Sequence, residues 1–296
     1  MWITDLGHRP LIAAAATPLS ADGSTIDTDA IGPYAEFLVA HGADGVFACG
    51  TTGEGVLLSV EERREVADAY RDALEGVLVV HAGAQSTADT VALARHAVEI
   101  GADAVAVIPP PYFPLDSDAL TAHFAAAARA CSPLPFFCYA FAPRSGYPLP
   151  VEVIARIAGM VDNLAGLKVS ESPFDKVAPY LELGLPVLIG NEPLLAPGLE
   201  HGAVGTVSGM AAAFPDVVRA ALDRPDPDAM ANLASLRGAL GAGGEFIAAV
   251  KHALGRRGVA VGPGMRAPLR ALTGAETTAL DERLAPWLES TAGASA

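Results

Sequence analysis

Three lysines stand against sixteen arginines in this chain, and one of them, Lys168, closes an apolar run at Leu164–Ser170, LAGLKVS. An ammonium drawn towards an apolar interior loses hydration, so its pKa falls and the neutral, nucleophilic amine becomes accessible near neutral pH. That is the chemistry of a Schiff-base enzyme. The plainer alternative is a strand-end lysine whose stem lies on the core while its head reaches water. Tyr139 lies one strand-and-helix unit upstream, so the two residues end adjacent strands, about 4.8 Å apart. A phenol there can move protons at a carbonyl carbon, provided something holds it ready, since its ordinary pKa is about 10. Its plainer role is a core aromatic with the hydroxyl at the rim. Gly50–Gly55, GTTGEG, offers backbone N–H groups and two threonine hydroxyls, which suits a carboxylate or phosphate. It is neither a G-x-G-x-x-G fingerprint nor a P-loop, and an unliganded turn is the alternative.

These residues need a scaffold that brings strand ends together. Short apolar segments bounded by Gly or Pro predict strands at Leu11–Thr17, Asp44–Cys49, Val77–His81, Ala104–Ile108, Phe136–Tyr139, Ala165–Val169, Val187–Ile189 and Gly205–Val207. Amphipathic patterns between them predict helices at Asp29–His41, Val60–Leu74, Ala88–Ile100, Ser117–Ala130, Val151–Ala158, Phe174–Leu183, Pro193–His201 and Pro215–Leu222. Regular alternation makes an α/β fold, a (β/α)8 TIM barrel, the economical solution over residues 1–223. The echoes His41–Val46, Ile100–Val105 and His201–Val207 read as repeated turns, each with a glycine suited to a left-handed helix cap. Ser59 and Glu62 form a capping-box pattern after the GTTGEG turn. After the break at Arg224-Pro225-Asp226-Pro227, patterns near Asp228–Ala242, Gly244–Gly255 and Met265–Leu288 predict a C-terminal helical appendage over 224–296, with a frayed tail at Ser290–Ala296. In such a barrel chemistry sits at the C-terminal strand ends, which here also carry His81, Pro109–Phe113, Arg144, Gly190-Asn191-Glu192 and Ser208.

Composition narrows the function. A net charge of −15 with no basic stripe disfavours nucleic acid and anionic membrane as partners. Although 51% of residues are hydrophobic, no apolar run approaches the roughly 18 residues of a membrane span. The first ten residues lack a signal-peptide pattern, and Cys49, Cys131 and Cys138 suit reduced, buried thiols, so a cytoplasmic protein is expected. The seven histidines include no H-x-x-x-H or H-x-H pair and no acidic cluster, so no metal is expected.

GTTGE at Gly50–Glu54, the strand-end Tyr139 and Gly166-Leu167-Lys168 together resemble the dihydrodipicolinate synthase/N-acetylneuraminate lyase family of class I pyruvate aldolases. Gly205–Ser208, GTVS, and Arg266–Leu269, RAPL, extend the resemblance over nearly the whole chain. It implies a Schiff base between Lys168 and the keto carbon of pyruvate or another 2-oxo acid, with Tyr139 moving protons and Thr51 joining the relay. Thr51 and Thr52 would bind the pyruvate carboxylate, and Gly50, Asn191, Val207 and Ser208 would complete the substrate-binding set. No cofactor is implied, and a homotetramer built as a dimer of dimers is. In the synthases a tyrosine reaching across a subunit interface completes the relay, and Pro110-Pro111-Tyr112-Phe113 puts Phe113 in that place unless Tyr112 substitutes. The family's asparagine after the strand-5 tyrosine is Ala140 here, and its proline has moved to Pro143. Arg144 and Gly146 fit the synthase pattern, in which that arginine binds the aldehyde's carboxylate. The expectation is a lyase that joins or cleaves pyruvate and an aldehyde, acting on a 2-keto-3-deoxy sugar acid or related 2-oxo acid. Dihydrodipicolinate synthesis in lysine biosynthesis is the runner-up, and a non-catalytic pyruvate-binding barrel is the alternative of another class.

Overall fold

Eight parallel strands close into a barrel in chain order in the computed structural model, which describes residues 6–292, and β8 pairs back onto β1. The strands are β1 Leu11–Ala13, β2 Gly45–Ala48, β3 Val77–His81, β4 Ala104–Val107, β5 Phe136–Ala140, β6 Leu164–Val169, β7 Val187–Ile189 and β8 Gly205–Ser208. Around them lie α1 Ile31–Ala40, α2 Val60–Ala73, α3 Thr87–Glu99, α4 Ser117–Ala130, α5 Ala142–Ser145, α6 Val151–Ala158, α7 Ala178–Leu181, α8 Leu195–Glu200 and α9 Pro215–Asp223. Three further helices follow, α10 Pro227–Gly241, α11 Phe246–Arg256 and α12 Gly274–Ala292. Among the described residues no helix is long and apolar enough to cross a membrane.

The pleat sorts side chains into two cores, because successive residues of a strand point to opposite faces. Leu78, Val80, Phe136, Cys138, Leu167 and Val169 face outward, where they join the helices in one large cluster. Val77, Val79, Phe137, Tyr139 and Val207 face inward and fill the barrel. Leu233, Leu236, Val250, Leu254 and Leu284 from α10 to α12 belong to the outer cluster, so the appended helices share the barrel's core. The glycines of the three echoed turns, Gly42, Gly101 and Gly202, all take positive φ, as a left-handed cap requires.

Several bounds differ from the sequence reading. β1 stops at Ala13 rather than Thr17: Ala14 N–H still donates to Ser208 O, but at Ala16 the backbone turns to side chains, Tyr34 Oη accepting from its N–H and Tyr70 Oη donating to its O. The helices expected over Phe174–Leu183 and Pro193–His201 are each a 3-10 turn followed by a short α-helix, α7 and α8. A proline belongs in a helix's first turn, and Pro179 starts α7 afresh. The last helix begins at Gly274 rather than Met265, where Thr273 and Glu276 exchange hydrogen bonds as a capping box. It runs to Ala292, so the first three residues of the expected frayed tail are helical and the rest lie outside the described residues. Neither α5 nor the antiparallel bridge Leu19–Ile26 was expected.

Candidate active site

Lys168 points into the barrel because Leu167 and Val169 point out of it, and a register shift sets that parity. Between β5 and β6, Phe136 pairs with Leu164 but Phe137 pairs with Gly166, leaving Ala165 as an extra residue. Gly166 has to be glycine, since a Cβ there would lie 2.5 Å from Pro186 O and 2.8 Å from the Phe137 ring. Past the shift, Tyr139 pairs directly with Lys168. The amine sits between two aromatic faces, 4.0 Å from the Phe47 ring centroid and 4.1 Å from that of Tyr139. Burial lowers its pKa to about 7, against the opposing pull of the Glu192 carboxylate. The neutral amine is therefore abundant at neutral pH.

Tyr139 Oη lies 3.4 Å from Thr51 Oγ1, the first link of the expected relay. Burial raises the phenol's pKa, while hydrogen bonds from Thr51 and Ser170 and the charge of Arg144 oppose the rise. The GTTGEG turn is closed on itself by Glu54 N–H to Thr51 O and Gly55 N–H to Gly50 O, both 3.1 Å. Cys49 and Glu54, at its ends, hold φ of 57° and 56°, a left-handed conformation that non-glycine residues adopt only when surroundings impose it. Those surroundings are visible: Thr17 Oγ1 donates to Gly53 O at 2.6 Å, and the Glu54 carboxylate meets Lys251 Nζ at 2.6 Å and Arg266 N–H at 2.7 Å. Both partners of that ion pair are fully buried. Gly50 leaves room for the Phe47 ring under Lys168, because a Cβ there would come within 2.6 Å of it.

Thr51, Thr52, Tyr139, Lys168, Arg144 and Val207 share an inner cavity of about 110 Å³. An outer cavity of about 250 Å³ adjoins it, with Thr51, Arg144 and Ile247 common to both walls, and Gly50 lines this outer one. Arg144 is delivered by α5, whose first N–H, on Ala142, donates to the buried Glu171 carboxylate at 2.7 Å. Two expected residues are placed elsewhere. Ser208 donates to Glu192 Oε1 at 2.7 Å, and Asn191 donates to Glu171 O at 3.4 Å; neither lines the inner cavity. Glu192, noted at the end of β7 but given no role, lines it instead, together with Ser170, Arg237 and Phe246. Ser170 was readable, as it lies two residues past Lys168. Arg237 and Phe246 come from the appended helices, and Arg237 meets Glu192 at 3.4 Å while lying over the Phe246 ring. Among the described residues no group of three or more His, Cys, Asp or Glu is placed to hold a metal ion.

Comparison with known proteins bears on this geometry. A sequence model described as the dihydrodipicolinate synthetase family matches residues 8–286. A relative from Halobacterium salinarum, described as an uncharacterized DapA-like lyase, is 38% identical over 291 residues, covering 95% of this chain and 94% of its own. The 4-hydroxy-tetrahydrodipicolinate synthase of a Chelativorans species is 37% identical over 205 residues, 68% of this chain and 69% of its own. Among solved structures, Proteus mirabilis N-acetylneuraminate lyase superposes with a TM-score of 0.84 at 29% identity, over 94% of this chain and 98% of that one.

Proposed function

This chain belongs to the dihydrodipicolinate synthetase family, and we propose that it is a class I lyase joining pyruvate reversibly to an aldehyde through an imine at Lys168. The observation that carries the reading is the buried Lys168 amine, with a pKa of about 7, beside the Tyr139–Thr51 pair. The neutral amine adds to the keto carbon, and the carbonyl oxygen leaves as water once protons have been delivered, a task for Tyr139. The protonated imine then takes up the electron pair of the C3–C4 bond as it breaks, leaving an enamine, while the C4 hydroxyl gives up its proton and becomes the aldehyde carbonyl; the condensation runs the same steps in reverse. Thr51 and Thr52 hold the pyruvate carboxylate from the GTTGEG turn, and the buried Glu192 carboxylate offsets the iminium charge.

Within that class the leading substrates are 2-keto-3-deoxy sugar acids or related 2-oxo acids. Phenylalanine can neither donate nor accept a proton, so Phe113 at the relay position slows the cyclising condensation with aspartate semialdehyde. Arg144 favours the second reading, dihydrodipicolinate synthesis, because a guanidinium fork suits a second carboxylate and this one lines both cavities. Tyr112 and Phe113 are 82% and 69% exposed, pack edge to face, and line neither cavity, so either would act only on a second copy of the chain. The reading also includes a homotetramer, which the family resemblance implies, and a cytoplasmic location, which the reduced cysteines suit. The test compares kcat/KM for cleavage of 2-keto-3-deoxygluconate with that for condensation of pyruvate and aspartate semialdehyde. Faster sugar-acid cleavage is expected, and a ratio strongly favouring the semialdehyde would promote the synthase reading.

A further inference from the structure

His81 ends β3 with its ring on the wall of the outer cavity, 7% exposed, and the chemistry of Lys168 does not use it. Its Nδ1 lies 3.1 Å from Cys49 O. A carbonyl only accepts, so the proton is on Nδ1 and Nε2 carries a lone pair. Nε2 is buried and has no hydrogen-bond partner, a state that costs stability and needs a reason. Gly83 packs against the ring and has to be glycine: a Cβ at that position would stand 2.9 Å from Nε2.

We infer that His81 is a specificity-determining residue, whose Nε2 accepts a hydrogen bond from a hydroxyl on the aldehyde portion of the substrate in the outer cavity. The inference rests on the pyruvate-lyase reading of the inner cavity, whose wall continues into the outer one through Thr51 and Arg144. A carboxylate is the wrong partner for Nε2, since neither side would bring a proton. An ammonium has the proton but meets the wrong field, because Arg63 donates to the backbone oxygens of His81 and Gly83 and Lys168 lies close by. A hydroxyl donates without bringing charge. Burial first, and then the charges of Arg63 and Lys168, hold the imidazole well below its ordinary pKa, so the acceptor persists across the neutral range.

The test measures condensation of pyruvate with glyceraldehyde and with propanal, which has the same carbon skeleton without hydroxyls. His81→Asn retains an amide donor for Cys49 O and removes Nε2, while His81→Phe retains the ring and removes both nitrogens. Borohydride trapping of pyruvate on Lys168 reports whether each variant keeps the inner cavity. With trapping intact, the glyceraldehyde-to-propanal ratio of kcat/KM should fall about tenfold relative to wild type, the scale of one lost hydrogen bond to a buried acceptor. Equal losses on both aldehydes, or an unchanged ratio, would overturn the inference. Failure of both variants to trap pyruvate would assign His81 to the framework and overturn it as well. A wild-type protein that traps no pyruvate would instead remove the lyase reading, and the inference with it.

Discussion

Lys168 is held in a place that an ammonium resists, and the resistance has a measurable signature. Its folded pKa, about 7, lies below the 10.5 of an ordinary lysine, so between those values the unfolded chain binds more protons than the folded one. Stability contributed at this position therefore rises with pH from about 7 to about 10.5. Lys168→Met removes the strain, and urea denaturation should find it more stable than wild type by a few kcal/mol at pH 7, with the gain shrinking towards pH 10. An equal gain at both pH values would mean that the amine is not desolvated. The lysine, the tyrosine and the threonine pair were legible in the sequence, because each stands at the end of an apolar run or in a Gly-rich turn. Glu192 was harder to see. It stands beside Asn191, and which of the two turns inward depends on Ser208 and Met210 N–H, which both bond Glu192 Oε1.

At the level of elements, the GTTGEG turn and the appended helices act together. Lys251 leaves α11 to meet Glu54 and Gly264 O, both at 2.6 Å, and so anchors the turn that carries Thr51 and Thr52. Breaking a buried pair from one side leaves an uncompensated charge. Lys251→Met should accordingly cost about 3–5 kcal/mol, read as a drop in denaturation midpoint, and Glu54→Gln in the same chain should recover part of it. A single variant within about 0.5 kcal/mol of wild type would show that the pair does not hold the turn. This tie was invisible in the sequence, where Lys251 read as one residue of a helix. The strands were legible because both their faces are buried. The register shift at Ala165, which decides that Lys168 faces inward, leaves no signature in a short apolar run.

For the whole molecule, the barrel and its order were readable from the alternation, whereas the proposed assembly rests on exposed apolar side chains. Val56, Tyr112 and Phe113 are exposed, and Tyr112 holds a φ of 86°, a left-handed conformation unusual for a non-glycine residue. Sedimentation at micromolar concentration should find a homo-oligomer, and a single monomeric species would leave that loop without a partner. The central claim, however, is the imine. Incubation with pyruvate and borohydride, followed by peptide mass analysis, tests it most directly. The account predicts one covalent adduct, at Lys168, that is lost in Lys168→Ala; label at Lys176 or Lys251, or no label at all, would contradict it.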